Sequence, residues 1–541
     1  MTVVNTPSKG GSETGQSESG SPSYKAGQSA TAKPTSGDQA LAQGAPAVTG
    51  AEVKGDTIWV DFPAGDPEDP FNFSQARKWF ITILAVFFTA EVAATASAYV
   101  PGISQMETDL NVTNHELGLL GISIYALGFG IPPLALAPFS EVFGRRNVYI
   151  ASHLAYTLFF LCCGLAQNMT TMLLGRFFGG AFGSTGSTLV GGTLADIWRT
   201  NERGFPMALF ATAAIFGTGF GPVWAGWVAQ HESLGWRWIQ YIQAIFTSGG
   251  LLLLVFFFRE TRGSVILTRR AARLRKETGD ERYRARAEAE RASIPVLIKD
   301  SLTRPLWLLV SEPIVIAFSL WISFLWGVMY SLLESLGLIA DLHGYTLGQE
   351  GLLFLSIVAA AILGLATNPI QDRLYNKNFS KRGPEARLYL AMISAVTFPI
   401  GAFIYAWTSY PDVSIAGTII GVIVFMWSVF NVYLAVFNYL ADSYLIFASS
   451  ALAAQSFARN MFGLAFPLFT EQMYHNLGYQ WASSLAGFLG AALGVVPFVL
   501  FIYGDRIRAK SRFSMQLLEL EKKREAEAKQ QQEKVDLETS S

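Results

Sequence analysis

The sequence is short of charge. Only 15% of its 541 residues are Asp, Glu, Lys or Arg, against about 25% in an ordinary soluble protein, which excludes a soluble domain and points to a membrane protein. It is also nearly free of cysteine. The two present, Cys162 and Cys163, are neighbours inside an apolar run, so on a helix they point apart and read as small packing residues rather than a disulfide or metal site. The five histidines are scattered and sit mostly at loops; His153 alone falls near a helix interior and reads as packed. No zinc, haem or iron–sulfur spacing occurs, so neither a metal nor a cofactor is expected, and the constellation an integral membrane enzyme would need is missing. Large apolar residues are almost absent from Met1 to about Thr57, a Ser/Gly/Thr/Ala/Gln/Pro tract that cannot bury enough surface to order itself. Residues 1–58 are expected to be a disordered tail. That tract also lacks the basic start and short apolar core of a secretory signal, which leaves targeting to the first membrane helix.

Long apolar runs are what the chain has in quantity. A bilayer core needs about 20 mostly apolar residues in a helix, and twelve segments qualify: 79–100, 117–138, 147–167, 171–194, 206–229, 237–258, 311–334, 349–370, 387–408, 413–438, 449–473 and 480–503. Lys and Arg near a span favour the cytoplasmic side. Arg77 and Lys78 precede span 1, Arg145 and Arg146 follow span 2, Arg199 and Arg203 follow span 4, and Arg373, Lys377, Lys381 and Arg382 follow span 8. All fall on one side, so both termini are expected in the cytoplasm. The polar, arginine-rich stretch 259–305 reads as a solvated cytoplasmic linker with short surface helices rather than a nucleic-acid or regulatory module. It divides a first six-helix bundle (79–258) from a second (306–505), and residues 506–541 read as a frayed, charged cytoplasmic helix. Asn111 opens an Asn-Val-Thr sequon in the first outside loop and is the candidate N-glycosylation site.

Ionisable residues inside the spans are the strongest functional signal, because a charge at mid-bilayer costs on the order of 2.5–3.5 kcal/mol on insertion scales. Glu91 interrupts span 1 and Arg176 interrupts span 4. At about 1.5 Å per residue they lie roughly 18 and 22 Å from the inner face, which suggests that they face each other across an internal cavity and that their pairing alternates with protonation of Glu91. The alternative is a permanent ion pair pinning two helices. Arg459 falls near the middle of span 11 and needs an acceptor or water there. Glu334 lies at the outer end of span 7, where it either reaches the headgroup region or serves the cargo site.

Twelve spans in two sixes, together with three local motifs, resemble the major facilitator superfamily and, more narrowly, its fungal twelve-span drug:proton antiporters. "APFSEVFGRR" is similar to the superfamily's loop between spans 2 and 3, with Glu141 in the acidic place, Gly144 at the turn and Arg145 and Arg146 at the basic end, an inner gate; Ala137 and Val142 depart from the usual Gly and basic residue. Arg176 with Gly179 and Gly180 resembles the span 4 motif. "GTGFGPVWAG" resembles the antiporter motif of span 5 through Gly217, Gly221, Pro222 and Gly226. Physically, such glycine spacing admits close helix approach and the proline bends the span. The resemblance covers about residues 60–515. It implies an all-α membrane protein of twelve transmembrane helices in two pseudo-symmetric six-helix bundles, the major facilitator fold, with a cargo site at their interface lined by spans 1, 4, 7 and 10.

The expected activity is secondary active export of a small amphiphilic organic compound, a drug or a secondary metabolite such as a glycolipid, by proton antiport with alternating access. Tyr99, Ser184, Ser187, Trp326, Tyr330, Trp427 and Asn431 offer the mix of aromatic and small polar groups that suits such a cargo, beside Glu91, Arg176, Glu334 and Arg459. A polyamine would require several acidic side chains and only Glu91 and Glu334 are available, which favours a neutral or anionic amphiphile. A polyamine or organic-acid carrier of the same fold and a non-transporting membrane sensor are the alternatives. The partners expected are the small-molecule substrate, protons and the lipid bilayer, with no nucleic acid, for a monomer in the plasma membrane or, alternatively, the vacuolar membrane.

Overall fold

The structure is a computed structural model that describes residues 51–54, 57–199, 202–289 and 294–511. Of the tail expected at 1–58 and the charged helix expected at 506–541, residues 1–50 and 512–541 lie outside the described residues, while 51–54 and 57–58 are strand rather than disordered and 506–510 end the helix of span 12. Helices occupy every apolar run. Span 1 is Gln75–Ser97, started by Ser74, whose side chain accepts from the Arg77 N–H. Span 3 is Arg145–Gly164, span 5 Gly204–Gln230, span 6 Gly235–Phe257, span 7 Pro313–Leu342, span 9 Tyr389–Trp407 and span 10 Ile415–Tyr444. The others are interrupted. Span 2 is His115–Gly130 and Pro133–Phe143, bent by 41° where Pro132 and Pro133 cannot continue the hydrogen-bond ladder. Span 4 breaks at Ser184 into Met169–Gly183 and Thr185–Ile197, and span 8 comprises Leu347–Leu353 and Leu355–Arg382. Span 11 breaks ahead of Pro467 into Ala448–Ala465 and Pro467–Leu477, and span 12 comprises Tyr479–Leu493 and Val496–Lys510. Eight continuous helical stretches are long and apolar enough to cross a membrane, one of them, Leu347–Trp407, containing two of the expected spans; the bent span 2 makes a ninth. The two that miss that standard, spans 4 and 11, are the broken spans that carry Arg176 and Arg459.

The stretch read as a solvated linker is more ordered than that. Strand β1 (Ala51–Lys54) pairs antiparallel with β2 (Thr57–Val60), which pairs in parallel with β3 (Tyr283–Arg284), Ile58 standing opposite Tyr283. Ile58, Val60, Ala271, Tyr283 and Ala285 are buried together under helix Gly263–Thr278. Arg270 on that helix holds Asp66 at 2.6 Å and Glu68 at 2.7 Å. The arginines that dominate the composition are therefore partly spent on tying the segment before span 1 to the link between the halves. The sequence conceals this because the pairing strand and its partner are more than two hundred residues apart.

The two six-helix halves meet along span 2 against span 11 and span 5 against span 8. On the face opposite the basic residues, His115 approaches Glu471 at 3.2 Å and Gln472 donates to Glu116 at 3.2 Å. Near the middle, Asn460 of span 11 donates to the Phe129 carbonyl at 3.4 Å. Nearer the basic face, Phe210 of span 5 packs edge-on against Phe437 of span 10 at 6.2 Å. There too helix Ile294–Ser311 lies on the end of span 2, with Leu297 and Ile298 facing Phe139 and Val142. That contact gives the departure at Val142 a reason: a basic residue would point its charge at the Leu297 and Ile298 side chains.

Candidate functional site

The basic face is locked by the motif after span 2, though by different partners from those sequence reading assigned. Gly144 has φ of 96°, a conformation only glycine adopts without strain, and turns the chain so that Arg145 enters the bundle. Arg145 bonds Asp196 of span 4 at 3.1 Å and Ser140 at 2.6 Å, while its backbone N–H donates to Glu260, beyond span 6, at 2.9 Å. Arg146 donates to the Val255 and Phe258 carbonyls at the end of span 6. Glu141, the expected acidic member, is about half exposed and reaches only Arg262 at 3.9 Å. The acids that do the holding are Asp196 and Glu260, both far from the motif in sequence. The second half repeats the device: Arg387, just before span 9, bonds Asp442 near the end of span 10 at 2.8 Å.

The glycine-rich motif of span 5 is sandwiched between two helices. A Cβ at Gly217 or Gly221 would collide with the Ala90 or Ala94 carbonyl of span 1, and one at Gly226 with the Leu347 carbonyl of span 8. Pro222 offers its carbonyl to the close approach of Gly351, and Gln230 accepts from the Gly348 N–H at 2.9 Å. One edge of the motif thus joins span 5 to its own half, and the other seals it against the opposite half away from the basic face.

Glu91 and Arg176 do not face each other. The Arg176 guanidinium donates to the carbonyls of Gly121 (3.1 Å), Ala96 (3.2 Å) and Thr95 (3.4 Å) and lies 4.4 Å from the ring centres of both Tyr99 and Tyr125. It is satisfied without a carboxylate. Glu91, one turn before Thr95, points instead toward spans 3 and 6, where its carboxyl lies 3.8 Å from His153 and beside Gly250. The depths match but the pairing inferred from them does not hold, because depth says nothing of the helix face. His153, read as packed, is the near neighbour instead; its Nε2 also lies 2.8 Å from the Thr247 carbonyl. Neither Glu91 oxygen has a hydrogen-bond partner among the described residues. Between the two sites runs a set of hydroxyls: Tyr156 bonds Thr95 and lies 3.5 Å from the Tyr125 hydroxyl, which donates to the Val92 carbonyl at 3.3 Å. The Tyr125 ring is one of the two beneath Arg176.

The remaining candidates separate into two groups. Ser184, Ser187 and Asn431 spend their polar groups on carbonyls of their own helices, and the Trp427 indole donates to Thr367 of span 8. Tyr99 donates to the Gly118 carbonyl at 3.0 Å. In contrast, Arg459 lies over Trp326 at 4.2 Å and Tyr433 at 4.9 Å, and the Tyr330 ring packs against Gly463, one turn beyond Arg459. Glu334 is buried inside the protein rather than reaching outward, and span 7 continues two further turns, to Leu342, past the expected end. A cavity of about 100 Å³ lies within the second half, lined by Phe324, Ser331, Tyr405, Phe466 and Tyr474 among others, and none of the predicted site residues borders it. Cys162 and Cys163 are free, and Cys163 is buried. Among the described residues no cluster could hold a metal ion.

The family model described as Major Facilitator Superfamily matches residues 81–460. The chain belongs to the major facilitator superfamily. It is 36% identical over 472 residues to the MFS-type efflux pump MFS2 of Trichophyton rubrum, covering 86% of this chain and 79% of that one. It is 35% identical over 466 residues to the multidrug transporter mdrA of Aspergillus fumigatus (85% and 76% covered) and 35% over 461 residues to the citrinin biosynthesis cluster transporter mrr1 of Monascus ruber (83% and 91% covered). These place it among the superfamily's fungal drug-exporter relatives, transporters rather than enzymes. Its fold is similar to that of the xylose transporter XylE from E. coli, with a TM-score of 0.57 at 16% identity over 79% of this chain and 99% of that one. The fold is an all-α, membrane-spanning one, as expected.

Proposed function

We propose that this superfamily member exports a small amphiphilic organic compound, a drug or secondary metabolite, by proton antiport, one six-helix half rocking against the other. The observation that carries the proposal is the Glu91 carboxyl: buried in mid-span, without a hydrogen-bond partner among the described residues, and 3.8 Å from a buried histidine. A group so placed exchanges a proton only when water reaches it, and alternating access supplies water first from one side and then from the other. The hydroxyls of Tyr156, Thr95 and Tyr125 link that carboxyl's surroundings to the carbonyls that hold Arg176. A change at Glu91 is thereby read by the packing of spans 1, 2 and 4 rather than by a direct ion pair.

Export as the direction is supported by the relatives named as efflux pumps and by the tightly packed span 5, which closes the far face. In this reading the basic face is cytoplasmic, the membrane is the plasma membrane, the working unit is the monomer, and Asn111, exposed on the far face, carries an N-glycan. The test uses inverted membrane vesicles with an imposed acid interior and a fluorescent amphiphile as cargo. Wild-type protein should concentrate the probe only while the gradient stands. Glu91→Gln should retain probe binding and lose gradient dependence; gradient-driven uptake at the wild-type rate by that variant would refute the coupling role.

A further inference from the structure

Span 11 carries a buried arginine outside the proton-coupling region. Arg459 is 5% exposed, its Nε and Nη1 have no hydrogen-bond partner among the described residues, and no carboxylate pairs with it there. The contrast with Arg176 is sharp, since that equally buried guanidinium is held by three carbonyls. The surroundings of Arg459 add donors. The Trp326 ring lies 4.2 Å from the guanidinium carbon and its indole N–H is buried and unpartnered. On the same face of span 7, at helical spacing, Ser323 and Ser319 carry buried hydroxyls without partners. Glu334, two turns further along span 7, has a free carboxyl yet makes no ion pair with Arg459. A buried, uncompensated guanidinium is costly; the unpartnered Oε1 of Gln455, one turn away on span 11, is a neutral acceptor, so no anionic partner meets Arg459 among the described residues.

We infer that Arg459 and the Trp326 indole bind the anionic group of the cargo, so that the protein prefers amphiphiles bearing a carboxylate to their neutral counterparts. This rests on the export reading above and narrows it. The guanidinium fork matches a carboxylate in a two-point contact, the indole N–H adds a third donor, and the Trp326 and Tyr433 rings supply an apolar wall for the body of the molecule. Asn460, the residue after Arg459, packs against Gly130 of span 2 and donates to the Phe129 carbonyl, so this site adjoins the meeting of the two halves.

The experiment measures binding to the purified full-length protein in detergent, with no gradient, so that a failure of proton coupling or of export direction leaves the result standing. The probes are 1-naphthoate and its uncharged amide, 1-naphthamide. Wild-type protein should bind the acid at least about tenfold more tightly, Arg459→Gln should bring the two to within about twofold, and Arg459→Lys should keep part of the preference. Should Arg459→Gln fail to fold, Trp326→Phe serves: it keeps the ring, removes the N–H, and should weaken the acid several-fold with the amide unchanged. Equal affinity for acid and amide in the wild type, or an undiminished preference in the folded variants, overturns the inference. Displacement of naphthoate by 200 mM chloride with no effect on the amide would show a site for inorganic anions and overturn it equally.

Discussion

Gly226→Ala is expected to open the seal between the halves, and its size follows from what the added methyl meets. A Cβ at Gly226 would occupy the space of the Leu347 carbonyl oxygen in the opposite half. Backbone cannot swing aside as a side chain can, so the two spans must separate. Overpacking of this kind costs about 1–3 kcal/mol. Because the contact joins the two halves, that cost falls only on the conformation in which the far face is closed. A bias of that size shifts a two-state equilibrium by about 5- to 150-fold. Gly217→Ala is the control: its methyl would strike the Ala90 carbonyl within the same half, destabilising the bundle without choosing between conformations. The assay is pulsed electron resonance between spin labels at Glu232 and Asp341, both exposed on the far face, in protein with Cys162 and Cys163 replaced. Gly226→Ala should add a population at longer distance and Gly217→Ala should not. An unchanged distribution in Gly226→Ala, at wild-type thermal stability, would refute the reasoning that the motif forms the seal.

On the basic face, Arg145→Ala removes one of the two arginines on Asp196, Arg262 at 3.1 Å being the other, and should cost about 1.5–3 kcal/mol, whereas Glu141→Ala, losing a 3.9 Å contact on a half-exposed side chain, should cost under about 1 kcal/mol; thermal unfolding in detergent compares them. The Asp66 carboxyl is held below its usual value chiefly by its hydrogen bond to Arg270. Its folded pKa is depressed, so its contribution is present above the free carboxyl's pKa and lost as pH falls through the lowered one; the protection factors for hydrogen exchange at Thr57–Val60, taken relative to the intrinsic rate at each pH, should be unaltered from pH 7 to 5 and fall only below about pH 4. Gly250→Ala would place a methyl 3.0 Å from the Glu91 carboxyl and 3.1 Å from His153, which forces those side chains apart and should slow gradient-driven transport with probe binding intact. Asn111→Gln should abolish any glycosidase-sensitive gel shift of protein made in a fungal host; a shift that persists would assign the glycan elsewhere.

The spans were legible because apolar length is a local property, and the motif after span 2 and the glycines of span 5 because close approach and positive φ leave a direct mark on residue choice. Partners were harder. Depth along a helix follows from residue count, which placed Glu91 near Arg176, but the face follows from rotation, and Glu91 turns toward His153 instead. The same count puts His153, eight residues into span 3, only about 12 Å from the inner face, so depth did not announce that pair either. Asp196, Glu260 and Arg262 went unassigned because each sits at a span boundary, where charge is ordinary. The end of span 7 was missed because Glu334 was read as a boundary marker, although "SLGLIADL" continues the helix beyond it. Nothing local announced the pairing of β2 with β3, which depends on two distant segments meeting on the basic face.

Proton movement during cargo flux tests the central claim most directly. Purified protein in liposomes holding a pH-sensitive dye, with a carboxylated amphiphile imposed on one side and no initial pH difference, should move protons against the cargo, and Glu91→Gln should move none. Cargo flux through wild-type protein with the internal pH unmoved would contradict the account.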